Sequence, residues 1–215
     1  MKPPKKKTRT VDTTIDESVK PIYEDVMVDL ETVGNKPGCG ILSIGAVAFD
    51  STSDQLGNEF YLVVNGQSCL DAGLHVDPDT LAWWNKQSPE ARVVLTQSND
   101  EAQSTDLRQA LIEFGIFVQQ FGGKKNVKVW GNGSDFDNAI LAVAYNAVEL
   151  DLPWMFWNNR CYRTLKGIVP GPKLQRQGTY HNALDDAKTQ AEHAIPLLHN
   201  LTNITMREKD RESGN

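Results

Sequence analysis

An α/β fold built on a mixed sheet with helices on its flanks is what this sequence predicts, and three observations carry the expectation. Apolar, strand-like runs occupy residues 25–30, 41–49 and 59–64 before any long helical pattern begins. The second and third are joined by a Ser/Asp/Gly segment, as in an antiparallel meander. A fourth strand-like run, at 127–130, emerges from a long helical stretch, the arrangement of a parallel crossover.

In chain order, Val26, Met27, Val28 and Leu30 form the apolar run of a buried strand. Helical spacing occupies 79–97 and 104–121. Within the first of these, Ser88-Pro89-Glu90 reads as N-cap, N1 proline and acidic first turn, which splits it into two helices. After the strand at 127–130, Gly131-Asn132-Gly133 reads as a tight turn that brings backbone near the candidate site. A helix over 135–149 then places Ile140, Leu141, Ala144, Ala147 and Val148 at helical spacing. A last helix spans 183–200 with Ala187, Ala191, Ala194 and Ile195 on its apolar side, and Pro196 is expected to kink or end it. No repeat or linker divides the chain. One domain is expected over 21–203, between a basic tail at 1–20 and a polar tail at 204–215.

Composition narrows the function classes. The 215 residues, 40% hydrophobic, suffice for one domain with a proper core. The formal charge of −6 hides an asymmetry, because Lys2, Lys5, Lys6, Lys7 and Arg9 place five positive charges in the first ten residues and leave −11 on the rest. Holding duplex DNA by broad phosphate neutralisation needs a basic face, and this acidic body argues against it. The tail fits either a solubilising arm or a phosphate contact. No 18-residue apolar run or signal peptide occurs, so no membrane association is expected. Cys39, Cys69 and Cys161 lack any Cys-x-x-Cys spacing and indicate neither a disulfide framework nor a zinc site. A reducing cytoplasm fits that usage.

Acids in a fixed order are the chemical signal. Asp29 and Glu31 stand two apart near the end of the first strand, and i and i+2 share a face. Carboxylates roughly 7 Å apart at the Cα level repel unless something positive lies between them. No Lys or Arg occurs from Pro21 to Asn35. A divalent cation is the simplest candidate, and solvent-facing strand-end acids are the alternative. Asp137 falls on the first turn of its helix, where the helix dipole alone is reason enough for an acid. His181 stands in a loop five positions before Asp186. A histidine titrating near pH 6.5 accepts a proton at neutral pH, yet taken alone this one reads more simply as a surface histidine beside a helix start. Asp185 also fits a plain dipole-complementing acid.

Taken together, Val28-Asp29-Leu30-Glu31-Thr32, Trp130-Gly131-Asn132-Gly133 with Phe136-Asp137-Asn138, and His181 with Asp186 resemble the three motifs of the DEDDh (DnaQ-like) 3′-to-5′ exonuclease superfamily. Trp83-Trp84-Asn85-Lys86-Gln87-Ser88 and the stretch Trp157 to Thr164 are similar to the phage and prophage branch labelled exodeoxyribonuclease VIII-like or Rv2179c-like, the T4 DexA type. One departure is that Asn132 precedes Phe136 by four residues where many members have three. The resemblance implies a ribonuclease H-like mixed sheet. It also implies phosphodiester hydrolysis with two ions, Mg²⁺ or Mn²⁺, held by Asp29, Glu31, Asp137 and Asp186, with His181 as general base. The expected products are nucleoside 5′-monophosphates.

Substrate contacts are expected from Thr32, Trp84, Asn132 and Arg163, with Trp83 and Trp157 as further stacking candidates and Arg160 as a further phosphate contact. For most of these tryptophans a core role is the more usual one. The expected partner is single-stranded nucleic acid, DNA in the first reading and RNA or short oligoribonucleotides in the second. A proofreading subunit docked on a polymerase is a third reading, and self-association is compatible with all three.

Overall fold

Five strands pair in the order β3-β2-β1-β4-β5 in the computed structural model, which describes residues 23–213, with side chains from 23 to 206. The strands are β1 (Asp25–Thr32), β2 (Ile41–Phe49), β3 (Leu56–Val63), β4 (Lys128–Gly131) and β5 (Asn159–Cys161). β1 pairs antiparallel with β2 and parallel with β4, β2 pairs antiparallel with β3, and β4 pairs parallel with β5. The mixed sheet, with its meander and its parallel crossover, is as the sequence predicts. The expected basic tail lies outside the described residues.

Eight helices are described: α1 (Gly66–Asp71), α2 (Pro78–Trp84), α3 (Pro89–Ser98), α4 (Leu107–Gln119), α5 (Gly123–Asn126), α6 (Asp137–Ala147), α7 (Tyr162–Ile168) and α8 (Ala183–Ser213). The expected break is real, since the Ser88 side chain accepts from Ala91 N at 3.2 Å and Pro89 opens α3. Helices α1, α5 and α7 and strand β5 are too short to leave a periodic signature. α8 crosses Pro196, as its expected span of 183–200 did, and departs from expectation by running on to Ser213. A proline inside a helix removes one N–H and crowds the carbonyl four residues earlier, but it does not stop a helix whose apolar face is already buried.

Alternation along β1 divides the molecule. Val26, Val28 and Leu30 face a core with Leu111, Phe114, Ile140 and Trp154, whereas Met27 faces a second core with Trp130, Tyr162, Ala187, Ala191 and Ile195. β2 is buried along its whole length because both faces are covered. Each fully buried Leu, Ile or Phe contributes about 1.5–3 kcal/mol. Asp29 and Glu31 share the parity of Met27 and so face α8, whose small residues Ala187, Ala191 and Ala194 let it lie close to the sheet.

Gly45 sets how close α8 comes. It pairs with Asp29 across the β1–β2 ladder, and a Cβ there would overlap the backbone of Ala183 and Leu184 at the start of α8. Gly45→Ala is therefore expected to push the start of α8 off the sheet. The cost should be about 1–3 kcal/mol of stability, the usual overpacking range. Thermal unfolding and a nuclease assay on the same sample check this, with a loss of activity expected; unchanged values in both would show that this contact does not fix α8.

Candidate active site

Four carboxylates and a histidine converge where β1, β4 and α8 meet. β1 delivers Asp29 and Glu31 on one face. The turn after β4 delivers Asp137 at the first residue of α6, and α8 delivers Asp186 in its first turn. Ligand atoms of Glu31, His181 and Asp186 lie within 4.8 Å of one another. A cleft of about 500 Å³ opens above them, with Asp29, Glu31, His181 and Asp186 on its floor and Thr32, Trp83 and Phe136 on its walls.

Local hydrogen bonds hold each acid in place. Asp137 is fully buried, and its Oδ1 and Oδ2 accept from Leu30 N at 3.2 Å and Asn132 N at 2.7 Å. Gly131 permits this approach, because a Cβ there would meet Asp137 Oδ2 at 2.9 Å and crowd Asn138. Asp29 Oδ1 accepts from Gln190 Nε2 at 2.7 Å, and Gln190 stands one helical turn after Asp186. Asn182 caps α8, its Oδ1 accepting from Leu184 N and Asp185 N, both at 3.1 Å. His181 precedes that cap with φ at +60°, a left-handed conformation that is uncommon outside glycine and arises at functional turns. Its ring meets Trp83 edge to face at a centroid distance of 4.9 Å.

The electrostatics are those of a site built for cations. Burial raises the Asp29 carboxyl well above its ordinary value, and the neighbouring Asp137, Glu31 and Asp186 raise it further. Burial likewise lifts Glu31 to about 8, with Asp186 and Asp137 adding to it, and lifts Asp137 to about 6 against its backbone hydrogen bonds. Asp186 is raised by burial despite an ion pair from Arg176. The imidazole of His181 is pushed down, chiefly by burial, so its neutral form prevails at neutral pH. Buried oxygen donors that repel one another unless neutralised fit a hard divalent cation.

This cluster carries a linkage consequence. Folded-state values above the ordinary carboxylate range near 4 mean that the native protein binds more protons than the unfolded chain between about pH 4 and pH 8. In chelator, thermal stability should therefore fall as pH rises through that window. Mg²⁺ or Mn²⁺ should restore it most strongly near pH 8. Scanning fluorimetry checks this, and a melting temperature independent of both pH and cation would contradict it.

The expected substrate residues separate. Thr32 lies in the cleft wall, its Oγ1 donating to Gly34 O at 2.6 Å. Arg163 is exposed near Gly133 and tempers the Asp137 carboxyl. Asn132 gives its backbone N–H to Asp137, while its side-chain oxygen is buried without a hydrogen-bond partner. Trp84 departs from the expectation of a base-binding residue. It is 1% exposed and its Nε1 donates to Thr32 O at 2.9 Å, which leaves no open face for stacking. Its neighbour Trp83, 42% exposed, presents the aromatic surface in the cleft. Asp185 accepts from Thr179 N at 2.7 Å and holds the loop before His181. Gln190 and Arg176 have no signal in the sequence beyond the helical spacing of Gln190 from Asp186.

A ribonuclease H-like sheet carrying Asp, Glu, Asp, His and Asp around one cleft defines a DEDDh-type 3′-5′ exonuclease, a phosphodiester hydrolase. Comparison with known proteins agrees. The family described as the Rv2179c-like 3′-5′ exoribonuclease domain matches residues 24–197, and the chain belongs to it. The exodeoxyribonuclease of Enterobacteria phage T4 is 24% identical over 160 residues, covering 65% of this chain and 69% of that protein. Among solved structures, the nuclease domain of 3′hExo, a DEDDh family member bound to rAMP, superposes with a TM-score of 0.55 at 14% identity, covering 82% of this chain and 92% of that one. A 3′-exonuclease that recognises the 3′ end of histone mRNA stem-loop gives a TM-score of 0.54 at 15% identity, with 84% of each chain covered. These two likenesses establish the fold. Among the described residues no helix is long and apolar enough to cross a membrane.

Proposed function

We propose that the chain removes nucleotides one at a time from the 3′ end of single-stranded DNA, releasing nucleoside 5′-monophosphates. The observation that carries the reading is the convergence of Asp29, Glu31, Asp186 and His181 in one open cleft, with Asp137 buried beside them on the backbone of Leu30. Asp29, Glu31, Asp137 and Asp186 would hold two Mg²⁺ or Mn²⁺ ions, which would supply positive charge where negative charge develops on the phosphate. His181, neutral and held edge to face by Trp83, takes the proton from the attacking water. Gln190 fixes the Asp29 carboxylate from behind. Trp83 and Phe136 flank the terminal base and exclude water from it.

DNA is favoured because the T4 relative is named an exodeoxyribonuclease. RNA is the second reading, because the family is described as an exoribonuclease domain. Matched DNA and RNA oligonucleotides, with products separated by chromatography, test both. Faster release of deoxynucleoside 5′-monophosphates supports the first reading, and faster ribonucleotide release replaces it with the second. The domain limits 21–203 and a soluble cytoplasmic setting belong to the same proposal.

A further inference from the structure

A strap with no regular structure joins α7 to α8, and its residues from 170 to 180 are all exposed. It runs antiparallel along α8 and is tied to it at intervals. Asn200 Nδ2 donates to Pro170 O at 2.9 Å, and His193 Nε2 lies 2.9 Å from Pro172 O. Gln177 N donates to Thr189 Oγ1 at 3.2 Å, and Gln177 Nε2 donates to Glu192 Oε2 at 2.7 Å. Those ties bring Arg176 to the first turn of α8, where its guanidinium forms an ion pair with Asp186. The guanidinium also lies over the exposed ring of Tyr180, 4.0 Å from its centroid.

The proposed hydrolysis makes no use of Arg176, yet this cation sits on one of the four carboxylates that would hold metal. Among the described residues, Arg176 is the one Lys or Arg that forms an ion pair with any of Asp29, Glu31, Asp137 and Asp186. Its charge is also felt at Glu31 and His181, where burial is the larger influence. Those two residues and Asp186 are the groups whose ligand atoms lie within 4.8 Å of one another. A guanidinium and a divalent ion at one carboxylate repel each other strongly where water is scarce. Arginine cannot shed its proton to relieve that repulsion, so it has to move.

We propose that Arg176 is a stand-in cation, which holds Asp186 until a divalent ion enters beside Glu31 and His181 and is then exchanged for that ion. Arg176 is thus a positioning residue. It keeps Asp186 in place before the ion arrives, and it sets the cation concentration at which the site assembles. The strap suits such an exchange, because Gln177 and Thr179 tie it to α8 without the help of Arg176 and the guanidinium can leave while the strap stays docked. The exposed Tyr180 ring, 6.4 Å from that of His181, keeps the displaced guanidinium nearby. A site that is open in only a fraction of molecules loses apparent affinity by that fraction. A guanidinium in place in about nine molecules of ten therefore weakens the ion about tenfold.

The inference rests on the metal-binding part of the exonuclease reading, and its test separates the two. Free Mn²⁺ followed by electron paramagnetic resonance gives the cation affinity of the full chain, and thermal scans in chelator give its stability. Arg176→Gln should tighten Mn²⁺ about tenfold and lower the melting temperature in chelator, a deficit that saturating Mn²⁺ removes. A merely structural contact would instead cost affinity and stability together. Arg176→Lys, which keeps the charge, should stay closer to the wild type in both. In the unsubstituted protein, Mn²⁺ should raise trypsin cleavage after Arg176 relative to trypsin cleavage after Lys173 in the same strap. Unchanged or weaker Mn²⁺ binding by Arg176→Gln, or a trypsin ratio that Mn²⁺ leaves unaltered, would overturn the exchange, and the nuclease reading would stand if the wild type degrades DNA. Tighter Mn²⁺ binding by Arg176→Gln, with no degradation of nucleic acid by the wild type, would sink the exonuclease reading and leave the exchange standing.

Discussion

Asp29→Asn is expected to lower turnover by about a thousandfold or more while raising the melting temperature in chelator. Both effects come from one cause. The Asp29 carboxyl is raised by burial and by Asp137, Glu31 and Asp186, so its ionisation at neutral pH opposes folding unless a cation compensates. The asparagine keeps an Oδ1 to accept from Gln190, and the local geometry should survive. Removing one of four charged donors forfeits several kcal/mol of transition-state stabilisation, and each 1.36 kcal/mol is a factor of ten. Thermal scans with and without Mn²⁺, alongside a nuclease assay, check the pair of effects. Comparable turnover in the variant would remove Asp29 from the site, and a lower melting temperature in chelator would show that the cluster is not strained.

His181→Ala is expected to reduce the rate by about 10²–10⁴ at saturating Mn²⁺, the range for loss of a general base. The variant should bind cation and oligonucleotide normally, since the imidazole accepts a proton and the carboxylates hold the ions. A pH series makes the test specific. Burial lowers the histidine's titration below 6.5, so the wild-type rate should climb through that titration to a plateau by neutral pH, and the variant should lack that limb. If the variant keeps the limb at a reduced rate, His181 acts by positioning alone. The fixed φ of +60° and the Trp83 contact then become its whole contribution.

How much of this was legible in the sequence depended on whether the information was local. Asp29 and Glu31 declare a shared face because strand geometry has period two, and Ser88-Pro89-Glu90 declares a helix start because capping is a few-residue property. The mixed sheet followed from the order of strand-like and helical runs. Arg176 on Asp186 was hidden, because the cation comes from a loop that no periodicity places. Gln190 on Asp29 was hidden because 161 residues separate the partners, so its helical spacing from Asp186 does not reveal what it bonds. Trp83 and Trp84 are adjacent on a helix, so about 100° separates them, and α2 is too short for its phase to be read. The run of α8 beyond 200 to Ser213 was hidden because residues 201–206 are exposed and no buried apolar face marks the helix there.

The most direct test of the central claim is gel-resolved digestion of 5′-labelled single-stranded DNA and RNA of one sequence, in Mg²⁺, Mn²⁺ or EDTA, beside Asp29→Asn. A ladder shrinking from the 3′ end with a divalent cation, absent in EDTA and in the variant, is the predicted result, and the faster strand identifies the sugar. A ladder that persists in EDTA, or one that Asp29→Asn makes equally well, would contradict the account of this site.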